Sequence, residues 1–400
     1  MTEEPANPSF RIATPSGLAA AMRDARSRTL SLFERFAAAG LDTADQVPYL
    51  AIVNPPLWEL GHVSWFGELF LLREAASSNP GSARYPSLLD GSDRWFDSNA
   101  VPHRTRWSLN LPGTAAIKTY CRDVFERTLD KLDQAGQDNA ALYAYRLSLA
   151  HEDMHGEAFA YTLQTLGISA PSVLASADCD IASPMEIRYS GGEFCLGSEP
   201  DQGFVFDNEK WAHPVTVPPF AIDSSLISNA QYAAFVEDGG YEQAALWPDS
   251  AGAWLARQQR AAPRYWRRVD GDWYVERFGS LVSLRPEEPV RHVNLHEAQA
   301  FCRWAGRRLP GEGEWEFAAR SGNRDFRWGD LWEWTRSPFE PYPGFTSDAY
   351  REYSVPWFKT HQVLRGASFA TQTRMRSPVY RNFFMPHRDD LFAGFRTCAL

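Results

Sequence analysis

Cysteine is scarce in this chain. Its 400 residues hold five, Cys121, Cys179, Cys195, Cys302 and Cys398, an odd number, scattered and without a CxxC pair. Neither a disulfide framework nor a thiolate zinc site is suggested, and the thiols read as reduced and buried. Long apolar runs are missing as well. No stretch approaches the roughly 18 residues of a membrane helix, and the opening MTEEPANPSF is acidic where a secretory leader is basic. The chain reads as cytosolic. The third absence is excess positive charge: 40 Lys and Arg stand against 50 Asp and Glu, a net charge of −10. That balance disfavours nucleic acid or an anionic membrane as partner and points to a small-molecule substrate. With 44% hydrophobic and 22% charged residues, long disorder is excluded.

What the sequence has in quantity is aromatic: 15 Trp and 25 Phe, a load that suits a ligand pocket or an irregular core. Up to residue 167 the apolar residues recur at helical spacing. They do so in PSGLAAAMRDARSRTLSLFERFA from Pro15, in LWELGHVSWFGELFLLREA from Leu57, and over Thr114 to Gln134 and Asp138 to Leu166, with Gly167 as cap. Four helices predict a bundle. Between the second and third, the aromatic and basic loop Arg94 to Trp107 is long enough to serve a site. Ile168 to Pro184 has no period and reads as a linker. Beyond it, short strands such as HPVTVPPFAID alternate with turns, and only NLHEAQAFCRWAG and GEGEWEFAARS look clearly helical. The predicted class is α+β: a helical bundle over 1–167, a linker over 168–184 and a mixed, loop-rich domain over 185–400.

The strongest chemical signal is His151 and His155, an i, i+4 pair that points both imidazoles at one spot on a helix. His62, in the middle of another amphipathic helix, is the expected third ligand, since facing helices of a bundle build such sites. Three neutral imidazoles leave positions open on Zn, Fe, Ni or Cu, and open positions mean catalysis. HEDMH is also the HExxH motif, with Glu152 as general base. The extended peptidase form is broken by Ala158 and Tyr161, which disfavours that reading. Glu157 lies about 200° around the helix from His155 and is expected to be solvated or bonded to a neighbouring helix. His213, His292, His296 and His361 lack a partner at metal spacing, and Arg303, Arg307 and Arg308 read as salt-bridge residues.

Taken together, LWELGHVSWFGELFLLRE, HEDMHGEAFAYTLQTLG, GGEFCLGSE, PVRHVNLHEAQAFCRWAGRRLPGEGEWEFAAR, LWEWTRSPFEPYPGF, VLRGASF and RNFFMPHRDDLFAGFR resemble the ergothioneine-biosynthesis sulfoxide synthases over nearly the whole chain. The resemblance implies a DinB-like four-helix bundle joined to a domain like formylglycine-generating enzyme, with a C-type-lectin-like fold. It also implies a mononuclear non-haem Fe(II) centre on His62, His151 and His155. Such enzymes use O2 to join a sulfur donor to C2 of the imidazole of hercynine, the trimethylated betaine of histidine. By the same resemblance Asn382 and Phe383 are hercynine contacts. A tyrosine near the iron donates a proton or hydrogen atom; Tyr342 is the candidate, with Phe339 as the alternative place where that tyrosine has been lost.

The departures matter. Members that take cysteine or γ-glutamylcysteine carry an NSYY stretch and an arginine-rich run between the second and third helices, where this chain has FDSNAVPHRTRWSLNLPG. Arg104 and Arg106 read as what is left of a carboxylate clamp. The segment looks more like the selenoneine synthase branch, whose donor is a selenosugar, and Asp97, Ser98, Asn99 and Trp107 suit hydroxyl groups. The alternatives are a thiol donor, a zinc-dependent transferase or hydrolase on the DinB-like bundle, and a lectin-like domain that merely binds. Formylglycine generation itself is disfavoured, because the positions of its copper-binding cysteines hold Thr371 and Arg376.

Overall fold

The computed structural model describes residues 9–174 and 185–400. Most of the expected linker, 175–184, and Cys179 within it lie outside the described residues. The first long helix, α1 (Pro15–Ala38), begins with Pro at its first position and with the Thr14 side chain accepting from the Gly17 N–H. α2 (Pro56–Gly67) does not run on to Ala75 as α-helix. It passes into a π-helical turn over Glu68–Leu72. The loop read between Arg94 and Trp107 is partly helical, with α3 (Ser92–Phe96) at its start and a 3-10 turn over His103–Trp107 at its end. α4 (Thr114–Asp133) and α5 (Asn139–Leu166) follow. Asp138 caps α5 by accepting from the Ala140 and Ala141 N–H groups, and Gly167 ends it at φ +66°. α1 packs along α5, and α2 lies between α4 and α5.

The second part holds all the described strands. β1 (Glu186–Tyr189) pairs antiparallel with β4 (Phe220–Asp223), and β2 (Gly192–Leu196) with β3 (His213–Val217). β5 (Trp266–Val269), β6 (Asp272–Arg277) and β7 (Ser280–Ser283) form a meander. The central sheet runs β10 (Asn382–Phe384), β9 (Gln362–Gly366), β8 (Trp332–Pro338), β11 (Ala393–Gly394), with only the last pair parallel. Two helices stand where the sequence showed none, α6 (Asn229–Glu237) and α7 (Ser250–Gln258), beside the expected α8 (Leu295–Trp304) and α9 (Glu312–Arg320). α6 had a readable start, since Ser228 and Gln231 form a capping box. Among the described cysteines all are free; Cys121, Cys302 and Cys398 are buried, but Cys195, on the outer face of β2, is exposed.

One apolar cluster runs through both parts, from Leu18, Phe36 and Phe159 to Trp334 and Phe395. Each fully buried side chain of this kind contributes roughly 1.5–3 kcal/mol. Polar ties reinforce the seam. Arg11 pairs bidentately with Glu209 at 2.7 and 2.8 Å, and Arg374 pairs with Asp153 of α5 through two bonds of 2.7 Å. Among the described residues no helix is long and apolar enough to cross a membrane.

Candidate metal centre and substrate cavity

Three imidazoles converge between α2 and α5. His62 from α2, and His151 and His155 one turn apart on α5, each offer a ring nitrogen, and these atoms lie within 4.8 Å of one another. The rings are held differently. His62 Nδ1 lies 2.7 Å from the Phe96 carbonyl, so that nitrogen donates and Nε2 keeps its lone pair. Gly61 permits this contact, because a Cβ there would sit 2.3 Å from the Phe96 ring. His155 Nδ1 lies 2.7 Å from Glu59 Oε1. His151 is buried with no hydrogen-bond partner on either nitrogen, its ring face to face with Phe66 at 3.7 Å.

Burial, reinforced by the neighbouring imidazoles, pushes His62 and His151 well below the ordinary histidine range. Both are neutral, the form that ligates metals. An unpartnered buried polar group costs about 1–3 kcal/mol, a cost that an ion between the rings removes. The donor set therefore fits a metal. Trp58 stacks on His62 at 4.9 Å, and Tyr350 from the second domain stands 6.0 Å from His151, so aromatic rings close these sides. Glu152 offers nothing to this centre. Its carboxylate is bound to Arg26 of α1 at 2.8 and 3.1 Å, which removes the general base that the HExxH reading requires.

A cavity of ≈ 220 Å³ opens beside His155, where α5 meets the second domain. α5 supplies Asp153, Met154, His155, Glu157 and Tyr161; the opposite wall includes Trp332, Tyr353, Tyr380, Asn382, Phe383 and Phe392. Asn382 and Phe383 thus stand in one cavity with His155. The Asn382 amide oxygen accepts the Phe383 N–H at 2.9 Å, which leaves the NH2 for a ligand. Phe383 rests on Phe339 at 4.1 Å, so part of its surface is packing.

The other expected residues are not brought there. Tyr342 lies behind β10: its hydroxyl donates to Glu312 at 3.3 Å and the Arg381 guanidinium covers its ring at 4.0 Å. It supports the strand that carries Asn382, because Arg381 also binds Glu312 at 2.8 and 3.0 Å. Arg104 is exposed over Tyr49, and Arg106 lies over Trp58 at 3.8 Å while donating to Asn54 at 2.7 Å. Asn99 is exposed, its backbone N–H donating to Asp97.

Four contributors carried little or no sequence signal. Phe96 acts through a backbone carbonyl, which no residue type marks. Glu59 precedes His62 by one turn yet serves His155 on the facing helix. Glu157 is half-buried, and its partners are not on a bundle helix. It accepts from Trp332 Nε1 at 2.7 Å, Ser368 Oγ at 2.6 Å and Thr371 Oγ1 at 2.8 Å, all from the second domain. Tyr353, which lines the cavity, donates to the Tyr380 hydroxyl at 3.4 Å, and burial holds its phenol well above the usual range.

Comparison with known proteins gives two kinds of likeness. The family described as sulfatase-modifying factor enzyme 1-like domain matches residues 172–330 and 327–399. The hercynine oxygenase of Mycolicibacterium thermoresistibile is 32% identical over 436 residues, covering 95% of this chain and 94% of that protein. The hercynine oxygenase of Mycobacterium tuberculosis is 31% identical over 437 residues, covering 96% and 98%. The formylglycine-generating enzyme of Streptomyces coelicolor is 34% identical over 192 residues, 41% of this chain and 58% of that protein.

Proposed function

The chain belongs to the hercynine oxygenase family, and on that premise we propose that it joins a selenosugar to C2 of the hercynine imidazole, using iron and O2. It is an oxidoreductase. The proposed reaction balances on one O2: the C2–H and Se–H bonds are lost, a C–Se bond and a selenoxide Se–O bond form, and the second oxygen atom leaves as water. His62, His151 and His155 would hold the iron. When bound, iron supplies the redox chemistry with O2 that none of the side chains here can supply.

The protein's own groups select and orient. The Asn382 NH2 meets the hercynine carboxylate. Phe383, Tyr353, Tyr380 and Trp332 face the trimethylammonium group, which cannot donate a hydrogen bond and is recognised by aromatic faces. Tyr353 takes the proton-holding role expected of Tyr342, since it lines the cavity and stays protonated. The aromatic walls exclude water from the reacting carbon.

One observation carries the choice of donor: neither Arg104 nor Arg106 lines the cavity, since Arg106 donates to Asn54 and lies over Trp58, and Arg104 lies over Tyr49. A carboxylate-bearing thiol would lose charge-assisted hydrogen bonds worth roughly 1.5–3 kcal/mol each, about tenfold or more in affinity. The test is a depletion assay with hercynine, offered in turn a selenosugar, cysteine and γ-glutamylcysteine. The selenosugar should be consumed with the highest kcat/KM. Equal efficiency with γ-glutamylcysteine would contradict the selenium reading and leave a sulfoxide synthase.

A further inference from the structure

The three imidazoles differ in what stands behind them. His62 has a backbone carbonyl, His151 has nothing but the Phe66 ring, and His155 has a full carboxylate, Glu59. Glu59 is 1% exposed, and among the described ion pairs its partner is His155. The Arg106 guanidinium feels its charge but is hydrogen-bonded to Asn54. A buried carboxylate with so little compensation is costly unless positive charge lies close by. One imidazole away is the place where the three ring nitrogens converge, and a cation there would supply that charge through the ring.

We propose that Glu59 is a positioning residue for the metal centre. By accepting the Nδ1–H of His155 it fixes the tautomer that presents Nε2 to the ion and makes this ligand a stronger donor than His62 or His151. The two helices are thereby cross-linked, because α2 contributes His62 to the centre and, one turn earlier, the carboxylate that orients the ligand from α5. This inference rests on the iron reading above but not on the identity of either substrate. Sequence alone hides it, since Glu59 and His155 are 96 residues apart.

The test combines affinity with a readout that needs no metal. Fe(II) dissociation constants would be measured anaerobically, by competition with a chromophoric chelator, for the wild-type chain and for Glu59→Gln and Glu59→Ala. Both variants should bind about 10–100-fold more weakly, the usual cost of losing such an orienting partner. In the metal-free wild-type chain at pH 8, nitrogen NMR of the labelled histidines should show His155 protonated on Nδ1, the atom that faces Glu59. That measurement decides the matter even if a variant fails to fold. An Nδ1 without a proton there would overturn the proposal, as would unchanged affinity in both variants. A wild-type chain that takes up no Fe(II) would contradict the iron reading itself, and this role with it.

Discussion

The wall of the cavity that belongs to α5 and the wall that belongs to the second domain are held by different forces. On α5 the polar groups are tied down: His155 to Glu59, Asp153 to Arg374, and Glu157 to Trp332, Ser368 and Thr371. Across from it stand mostly rings, packed on other rings as Phe383 is on Phe339, with the neutral amides of Asn382 and Gln372 among them. Hydrogen bonds to charged groups are directional and fix atoms closely. Ring contacts set a shape and a polarity and tolerate small shifts. The fixed wall therefore suits a centre whose ligands must converge on one point, and the aromatic wall suits selection of a bulky, permanently charged substrate.

The sharpest way to break this division is on the fixed wall. His62→Ala, His151→Ala and His155→Ala should each abolish iron uptake and turnover together, read by metal analysis and O2 consumption, while His296→Ala should do neither. Full iron occupancy in His62→Ala would remove it from the centre. Arg374→Ala comes next, because it leaves Asp153 buried without its guanidinium. A loss of about 3–5 kcal/mol in denaturant unfolding is expected, and a change under 1 kcal/mol would mean that the seam does not depend on that pair.

The aromatic wall should respond differently. Tyr353→Phe should lower kcat about 100-fold or more with hercynine binding retained, as expected for loss of a proton-donating group. Phe383→Leu keeps apolar bulk but removes the π-face, worth about 0.5–2 kcal/mol to a cation. Its effect should be larger for hercynine than for histidine, and an equal loss for both would return the residue to packing. Tyr342→Phe should be the mildest, leaving kcat within about twofold, because its hydroxyl donates to Glu312 and the residue does not line the cavity.

The same division explains what the sequence disclosed. α5 is legible from its period, its Asp138 cap and Gly167, and the i, i+4 spacing of His151 and His155 follows from the helix itself. His62 is legible as a histidine inside another helix of the same bundle. Partners that exist only once helices and domains pack were not legible: the Phe96 carbonyl, the Glu59 carboxylate and the donors to Glu157. Tyr342 and Tyr353 illustrate the limit on the other wall. Both lie in loop-rich sequence with no period to orient them, yet Tyr342 is buried under Arg381 while Tyr353 lines the cavity. Residues 94–107 serve the centre through α3 and a backbone carbonyl, whereas their arginines and Asn99 do not reach the cavity.

The most direct test of the account is O2 uptake by the chain loaded anaerobically with metal and then mixed with hercynine and a selenosugar. The account predicts one iron per chain in the wild type, none in His151→Ala, and O2 consumption that begins only when both substrates are present. Zinc in place of iron, with hercynine left unchanged and no O2 consumed, would contradict it.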